Sequence, residues 1–203
     1  MRKQKKQVAI LGGAFDPITV GHVKLAQFVL NNVSGLNEVC LTPCYGHVYD
    51  KKMISANHRL QMVRLGILNI PEITVCDIEI KDKLPGDTYS LIKRLREVET
   101  NYNFSVIIGQ DNANTIHLWV ENEWLKNNVR VIVVPRKGIE RIKTDNWYLQ
   151  PPHLFLNKKT NIPEISSTQI RNLLKKDRTI RPEELDEKVY QYILANNLYG
   201  ANQ

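Results

Sequence analysis

Along this chain, short apolar runs alternate with segments in which the apolar spacing changes to three and four. The runs "QVAIL" (7–11), "EVCLT" (38–42), "ITVCD" (73–77), "FSVIIG" (104–109), "RVIVV" (130–134) and "HLFLN" (153–157) read as strands, several of them apolar enough to be buried on both faces. The segment 20–31 reads as a helix, and so does 56–68, with Leu60, Val63 and Ile67 on one face. Leu91, Leu95 and Val98 mark a third helix within "TYSLIKRLREVE", while Leu185, Val189 and Ile193 mark the last. Strands alternating with helices predict the α/β class: a Rossmann-like, doubly wound parallel sheet with helices on both faces, a C-terminal helical segment, and ligands at the C-terminal strand ends. No internal repeat, low-complexity tract or long linker interrupts the pattern. With 203 residues the chain can bury one sizeable core, so residues 1–203 are expected to form a single domain, with 1–6 as a flexible basic tail.

Composition changes this picture little. The chain is 42% hydrophobic and 24% charged, as expected of an ordinary soluble domain. The longest apolar runs, such as "VRVIVV" at 129–134, are far too short to cross a bilayer, and "MRKQKKQ" lacks the apolar segment of a signal peptide. Three cysteines, Cys40, Cys44 and Cys76, are too few and odd in number for a disulfide framework. A cytoplasmic location, away from membranes, is the expectation. Cys44 with His47, or Cys40 with Cys44, suggests a metal pair, but no second Cys-x-x-Cys completes four ligands, so no protein-held metal is expected. The formal charge of +7 points to an anionic partner. Part of it sits in "RKQKK", and the rest lacks the aromatic interleaving of a single-strand binder, so nucleic acid is not the expected partner.

Candidate chemistry begins at "VAILGGAFDPITVGH", 8–22, the first strand-to-helix crossing. Its glycines let a ligand approach the backbone, and the next helix points unpaired N–H groups at anything negative, which makes it a phosphate site. The spacing is neither that of a dinucleotide loop nor that of a Walker loop. Asp16 and Pro17 are expected to shape the turn, since a carboxylate repels phosphate. Thr19 and His22, three apart at a helix start, can face one pocket, the histidine as an N–H donor and, if protonated, a cation. A glycine turn with a threonine cap would account for the same residues without a ligand. A second segment, "ISSTQIRNLL" at 165–174, weighs toward phosphate. Ser166, Ser167 and Thr168 precede a helix whose early Arg171 opposes the helix dipole, an arrangement that favours an anion bound between them.

At these residues the chain resembles the nicotinamide and nicotinate mononucleotide adenylyltransferases of the nucleotidyltransferase superfamily. The resemblance spans nearly the whole chain. "GGAFDPITVGH" is similar to the family's first-strand signature, "NHRLQM" to its second helix and "VIIGQD" to its Gly-x-Asp strand end. "LW" ending at Trp119, "VVPRKG", "ISSTQIR" and "VYQYILANNLYG" follow in order. The resemblance implies transfer of AMP from ATP to a pyridine mononucleotide, with release of pyrophosphate. It implies His22, Thr19 and Arg171 as catalytic residues. For ATP it implies Gly12, Gly13, Phe15, His22, Gly109, Asp111, Ser166, Ser167, Thr168 and Arg171, with Asp111 near the adenosine and the Ser166–Thr168 amides on the β and γ phosphates. For the mononucleotide it implies Ala14, Phe15, Lys52 (or its neighbour Lys51), Thr88, Trp119 and Arg136, with Trp119 stacked on the pyridine ring. Mg²⁺ is implied as a cofactor carried mainly by the ATP phosphates. The partners implied are these two substrates; a homo-oligomer is compatible with the sequence.

The chain departs from the family pattern twice. Thr19 stands where the family usually has histidine; the wider superfamily signature allows threonine there, as in phosphopantetheine adenylyltransferases, which makes phosphopantetheine the alternative acceptor. A non-catalytic nucleotide sensor is the alternative from another class. Nicotinate-preferring members usually carry Ser-Tyr-Thr before the Asp-Thr found here as Asp87–Thr88, where this chain has Lys83, Leu84 and Pro85. Pro85 removes a backbone donor that a carboxylate would need. The sequence therefore predicts that nicotinamide mononucleotide is used at least as well as the nicotinate form.

Overall fold

The structure, a computed structural model, describes residues 5–46, 52–140, 146–158, 162–163 and 165–200. Six parallel strands, β1 (Lys6–Gly13), β2 (Glu38–Pro43), β3 (Ile73–Val75), β4 (Tyr102–Gly109), β5 (Arg130–Val134) and β6 (Leu154–Phe155), form one sheet in the order β3-β2-β1-β4-β5-β6. All six fall on the apolar runs. The order reverses at β1, so the C-terminal ends of β1 and β4 open a crevice of the kind in which doubly wound folds bind ligands.

Alternation along each strand sends residues to two apolar layers. Ala9 and Leu11 of β1, Val39 and Leu41 of β2, and Ile132 and Val134 of β5 pack with α1 (Val20–Asn32), α2 (Ala56–Gly66), α7 (Ser167–Lys176) and α8 (Glu187–Ala195). Val8 and Ile10, with Val106, Ile108, Val131 and Val133, pack on the opposite face against α4 (Thr88–Val98) and α6 (Asn122–Asn128). The helix starts are capped as their sequences direct. Asp87 accepts the Ser90 N–H at 2.8 Å ahead of α4, and Asp186 accepts the N–H groups of Lys188 and Val189 ahead of α8.

Three differences from the sequence expectation have local causes. α2 ends at Gly66 instead of Leu68, and Pro71 shortly after disfavours helical backbone at Ile70. α3 (Ile78–Lys81), α5 (Gln110–Asn114) and α6 are too short to show a helical period. Lys6, expected in the flexible basic tail, instead opens β1, where its N–H donates to the Asn101 carbonyl at 3.1 Å and its ammonium pairs with Glu38. Among the described residues no helix is long and apolar enough to cross a membrane.

Candidate active site

The turn from β1 into α1 is held from three sides. Phe15 adopts φ 47°, a left-handed conformation that costs an aromatic residue on the order of 1 kcal/mol or more. Its ring is buried and stands edge-on to the His22 imidazole, with centroids 5.1 Å apart. Asp16 is buried as well; its Oδ1 accepts the Tyr199 hydroxyl at 2.6 Å, and its carbonyl accepts Arg171 at 2.6 Å. Arg59, only 1% exposed, donates to the carbonyls of Ala14 (2.8 Å), Cys44 (2.7 Å), Tyr45 (3.2 Å) and Ile54 (3.2 Å). One guanidinium thus ties the β1–α1 turn to the chain between β2 and α2.

Within this frame, Thr19 is the N-cap of α1 and His22 reaches back to it: Nδ1 accepts the Thr19 N–H at 3.0 Å, and the Thr19 hydroxyl lies 2.9 Å from the same nitrogen. A backbone N–H can only donate, so the ring proton resides on Nε2, leaving that nitrogen a donor toward a ligand. Burial, reinforced by the Arg136 charge, lowers the His22 pKa to about 4. The sequence allowed for a cationic histidine; in the folded protein it is a neutral, oriented donor at physiological pH. At the next residue but one from Thr19, a Cβ on Gly21 would approach the Pro163 carbonyl at 3.0 Å, so the helix start also accommodates a close crossing of the chain.

Gly109, Asp111 and Arg136 come together at the end of β4. A Cβ on Gly109 would stand 2.3 Å from Asp111 Oδ1, so a side chain there displaces the carboxylate. Arg136 donates to Asp111 Oδ2 at 2.9 Å, while Oδ1 is buried without a protein partner among the described residues.

At α7, Ser166 forms a capping box with Gln169: its hydroxyl accepts the Gln169 N–H at 3.2 Å, and its own N–H goes to Gln169 Oε1 at 2.7 Å. The Ser166 amide is therefore occupied, and the first-turn amides that the helix leaves open are those of Ser167 and Thr168. The Ser167 hydroxyl donates to the Pro17 carbonyl at 2.8 Å, and Arg171 also donates to Thr168 Oγ1 at 3.1 Å. With the Arg171 bond to the Asp16 carbonyl, these contacts dock the start of α7 directly onto the β1–α1 turn.

Two cavities flank the turn. One of about 580 Å³ is lined by Gly12, Gly13, Ala14, Thr88 and Trp119, together with Cys44, Glu79 and Asp87. The other, of about 570 Å³, is lined by Asp16, Lys52, His58, Arg171, Lys175 and Tyr199 among others. Lys52 thus borders the cavity shared with Arg171, not the one walled by Trp119. Lys51 and His47 lie outside the described residues. Cys40 sits beside the Cys76 thiol and Cys44 beside Arg59, and among the described residues no three His, Cys, Asp or Glu side chains converge on a metal position.

Sequence reasoning missed Arg59, Glu79 and Tyr199. Arg59 had a signal, a cation near the apolar face that carries Met62 and Val63. Glu79 and Tyr199 had none, because their neighbours are distant in the chain. Glu79, 3% exposed, has a carboxyl pushed up to about 8 by burial and by the charges of Asp87 and Cys76, against the opposing pull of Arg59 and the Tyr45 N–H.

The family model for cytidylyltransferase-like proteins matches residues 10–173. A Flavobacterium psychrophilum protein named "Probable nicotinate-nucleotide adenylyltransferase" is 32% identical over 195 residues, covering 95% of this chain and 98% of that protein. A Clostridium botulinum protein of the same name is 32% identical over 200 residues, covering 94% of this chain and 98% of that one. Among solved structures, Plasmodium falciparum nicotinic acid mononucleotide adenylyltransferase complexed with NaAD superposes with a TM-score of 0.78 at 26% identity, over 96% of this chain and 97% of that one. By this family match and these near full-length relatives, the chain belongs to the cytidylyltransferase-like family and, within it, to the pyridine mononucleotide adenylyltransferases.

Proposed function

We propose that this enzyme transfers AMP from MgATP to nicotinate mononucleotide, releasing pyrophosphate. The observation that carries the reading is His22, held by Thr19 as a neutral Nε2–H donor at the β1–α1 turn, whose Gly12, Gly13 and Ala14 line a cavity of about 580 Å³, a volume suited to a small molecule. A mononucleotide 5′-phosphate is already anionic, so one of its oxygens bonds to the α-phosphorus while the bridge to the β-phosphate breaks and leaves with its electron pair. No protein nucleophile or strong base is required; positioning and charge stabilisation suffice.

In this reading His22 donates to the α-phosphoryl oxygens and Thr19 orients it. The backbone of Gly12 and Gly13, with Phe15 beneath, accommodates the phosphates, and Gly109 and Asp111 meet the adenosine. The Ser167 and Thr168 amides, with Arg171, face the β and γ phosphates, and Ser166 holds that helix start. Ala14, Phe15, Thr88, Trp119 and Arg136 serve the mononucleotide. Lys52, which borders the Arg171 cavity, belongs in this scheme to the triphosphate side. Mg²⁺ arrives on ATP. Free thiols at Cys40, Cys44 and Cys76 suit a reducing, cytoplasmic setting.

The nicotinate form is the acceptor for which the relatives are named. The chain between α3 and α4 supports the sequence argument that this segment is poor in donors: the Leu84 N–H is taken by the Glu79 carbonyl at 2.9 Å, and Pro85 has none. The acid is nonetheless favoured, because Glu79, which the sequence did not single out, lines the cavity walled by Trp119.

Pyrophosphate release should be measured from MgATP with nicotinate mononucleotide, nicotinamide mononucleotide and phosphopantetheine in turn. Turnover with a pyridine mononucleotide is expected. Turnover with phosphopantetheine alone would move the enzyme to the alternative acceptor, and none with any would make it a sensor. Arg171→Ala is expected to raise the KM for ATP more than that for the mononucleotide, because its charge lies at the triphosphate end. Equal increases would remove Arg171 from that role and leave it as the tie to Asp16.

A further inference from the structure

We propose that the carboxyl of Glu79, a residue lining the cavity walled by Trp119 and one whose buried Oε2 has no hydrogen-bond partner among the described residues, is the group that reads the substituent of the pyridine ring. The assignment rests on that cavity receiving the mononucleotide. Polar groups close to Glu79 in the chain are already engaged or lack a donor. Asp87 holds the Ser90 N–H and hydroxyl, both at 2.8 Å, the Leu84 N–H holds the Glu79 carbonyl, and Pro85 offers no donor. Glu79 itself is 3% exposed, with the Tyr45 N–H as a hydrogen-bond partner of its carboxyl. A buried carboxyl oxygen left without a partner is costly, and at a cavity wall the missing partner can come from the ligand.

The charged and titratable groups facing Glu79 decide which ligand that is. Asp87, ahead of α4, and Cys76, after β3, disfavour its ionised form together with burial, and Cys44, after β2, is a third group on that side; Arg59 from α2 opposes them. The balance leaves Glu79 protonated at neutral pH. As an acid it donates an O–H to a nicotinate carboxylate and replaces the donors that the Lys83–Pro85 segment lacks. Once ionised it repels that carboxylate and accepts from the N–H₂ of nicotinamide. A single proton therefore moves the preference from acid to amide.

The test is the ratio of kcat/KM for nicotinate over nicotinamide mononucleotide, followed from pH 6.5 to 9.5. In this ratio the titrations of ATP, Mg²⁺ and the common 5′-phosphate cancel. For the wild type it should fall by roughly tenfold or more as Glu79 ionises, with the midpoint near the free-enzyme value of about 8. In Glu79→Gln, whose amide presents a donor and an acceptor at every pH, the ratio should stay flat. A flat wild-type profile, or an unchanged profile in Glu79→Gln, overturns the assignment while leaving the adenylyl transfer intact. Absence of turnover with both mononucleotides overturns it by a different route, through the proposed function itself. Melting curves verify that the variant folds and carry a second signature. The folded wild type holds a proton that the unfolded chain releases above the ordinary carboxyl range, so wild-type stability should decline as pH rises toward about 8, and the variant's should not.

Discussion

Replacement of His22 by alanine is expected to lower kcat by roughly 10²- to 10³-fold while the protein remains folded, the scale of losing one oriented donor to a developing phosphoryl charge. The fold survives because the ring lies at the helix start and is only half-buried, so its removal forfeits an edge contact with Phe15 and the acceptor for the Thr19 N–H. The loss should fall on kcat more than on either KM, since the donor matters most when the transferred group carries extra charge. A decrease below about threefold would remove His22 from the chemistry. The protonation state supplies a companion measurement. With its pKa lowered to about 4, His22 in the free enzyme should show no step between pH 5.5 and 8 in an NMR titration of the ring. The depressed value also means that the unfolded chain binds a proton on this ring below its ordinary pKa before the folded protein does. His22 therefore contributes stability above that pKa and loses it as pH falls toward 4.

The second large effect is structural. Arg59→Met should destabilise the protein by on the order of 3–5 kcal/mol, because the guanidinium's departure leaves the buried carbonyl of Cys44 and the partly buried carbonyls of Ala14, Tyr45 and Ile54 without this donor. That is a large fraction of the stability of an ordinary domain. Arg59→Lys should recover only part of it, since one ammonium cannot span acceptors on two separate loops as the planar fork does. Urea unfolding of the three proteins gives the comparison. A shift for Arg59→Met below about 1 kcal/mol would show that the carbonyls find water or other donors, and Arg59 would then not be the tie between the turns. The same variant should raise the KM of both substrates, because the turns on either side of the crevice lose their common anchor.

The division between what could be read along the chain and what could not follows the range of the interactions. All six strands and the long helices were legible, because burial on both faces forces unbroken apolar runs at Val8–Leu11 and Val131–Val134, and burial on one face forces a helical period at Leu91–Leu95. Turn chemistry was legible too. Thr19–His22 and Ser166–Gln169 are contacts three residues apart, and their geometry follows from helix starts alone. The sequence by itself therefore determined the parallel α/β frame and the two capped helix starts at Thr19 and Ser166. It did not determine how they meet, because Arg171 reaches the Asp16 carbonyl across 155 positions and Tyr199 reaches its carboxylate across 183. Nor could it give the ionic states. His22 is neutral and Glu79 protonated because other segments remove water from them and bring Arg136, Asp87 and Cys76 into range. Local hydrogen bonds and apolar periodicity are written in neighbouring residues; desolvation and long-range charge come into being only when the chain closes on itself.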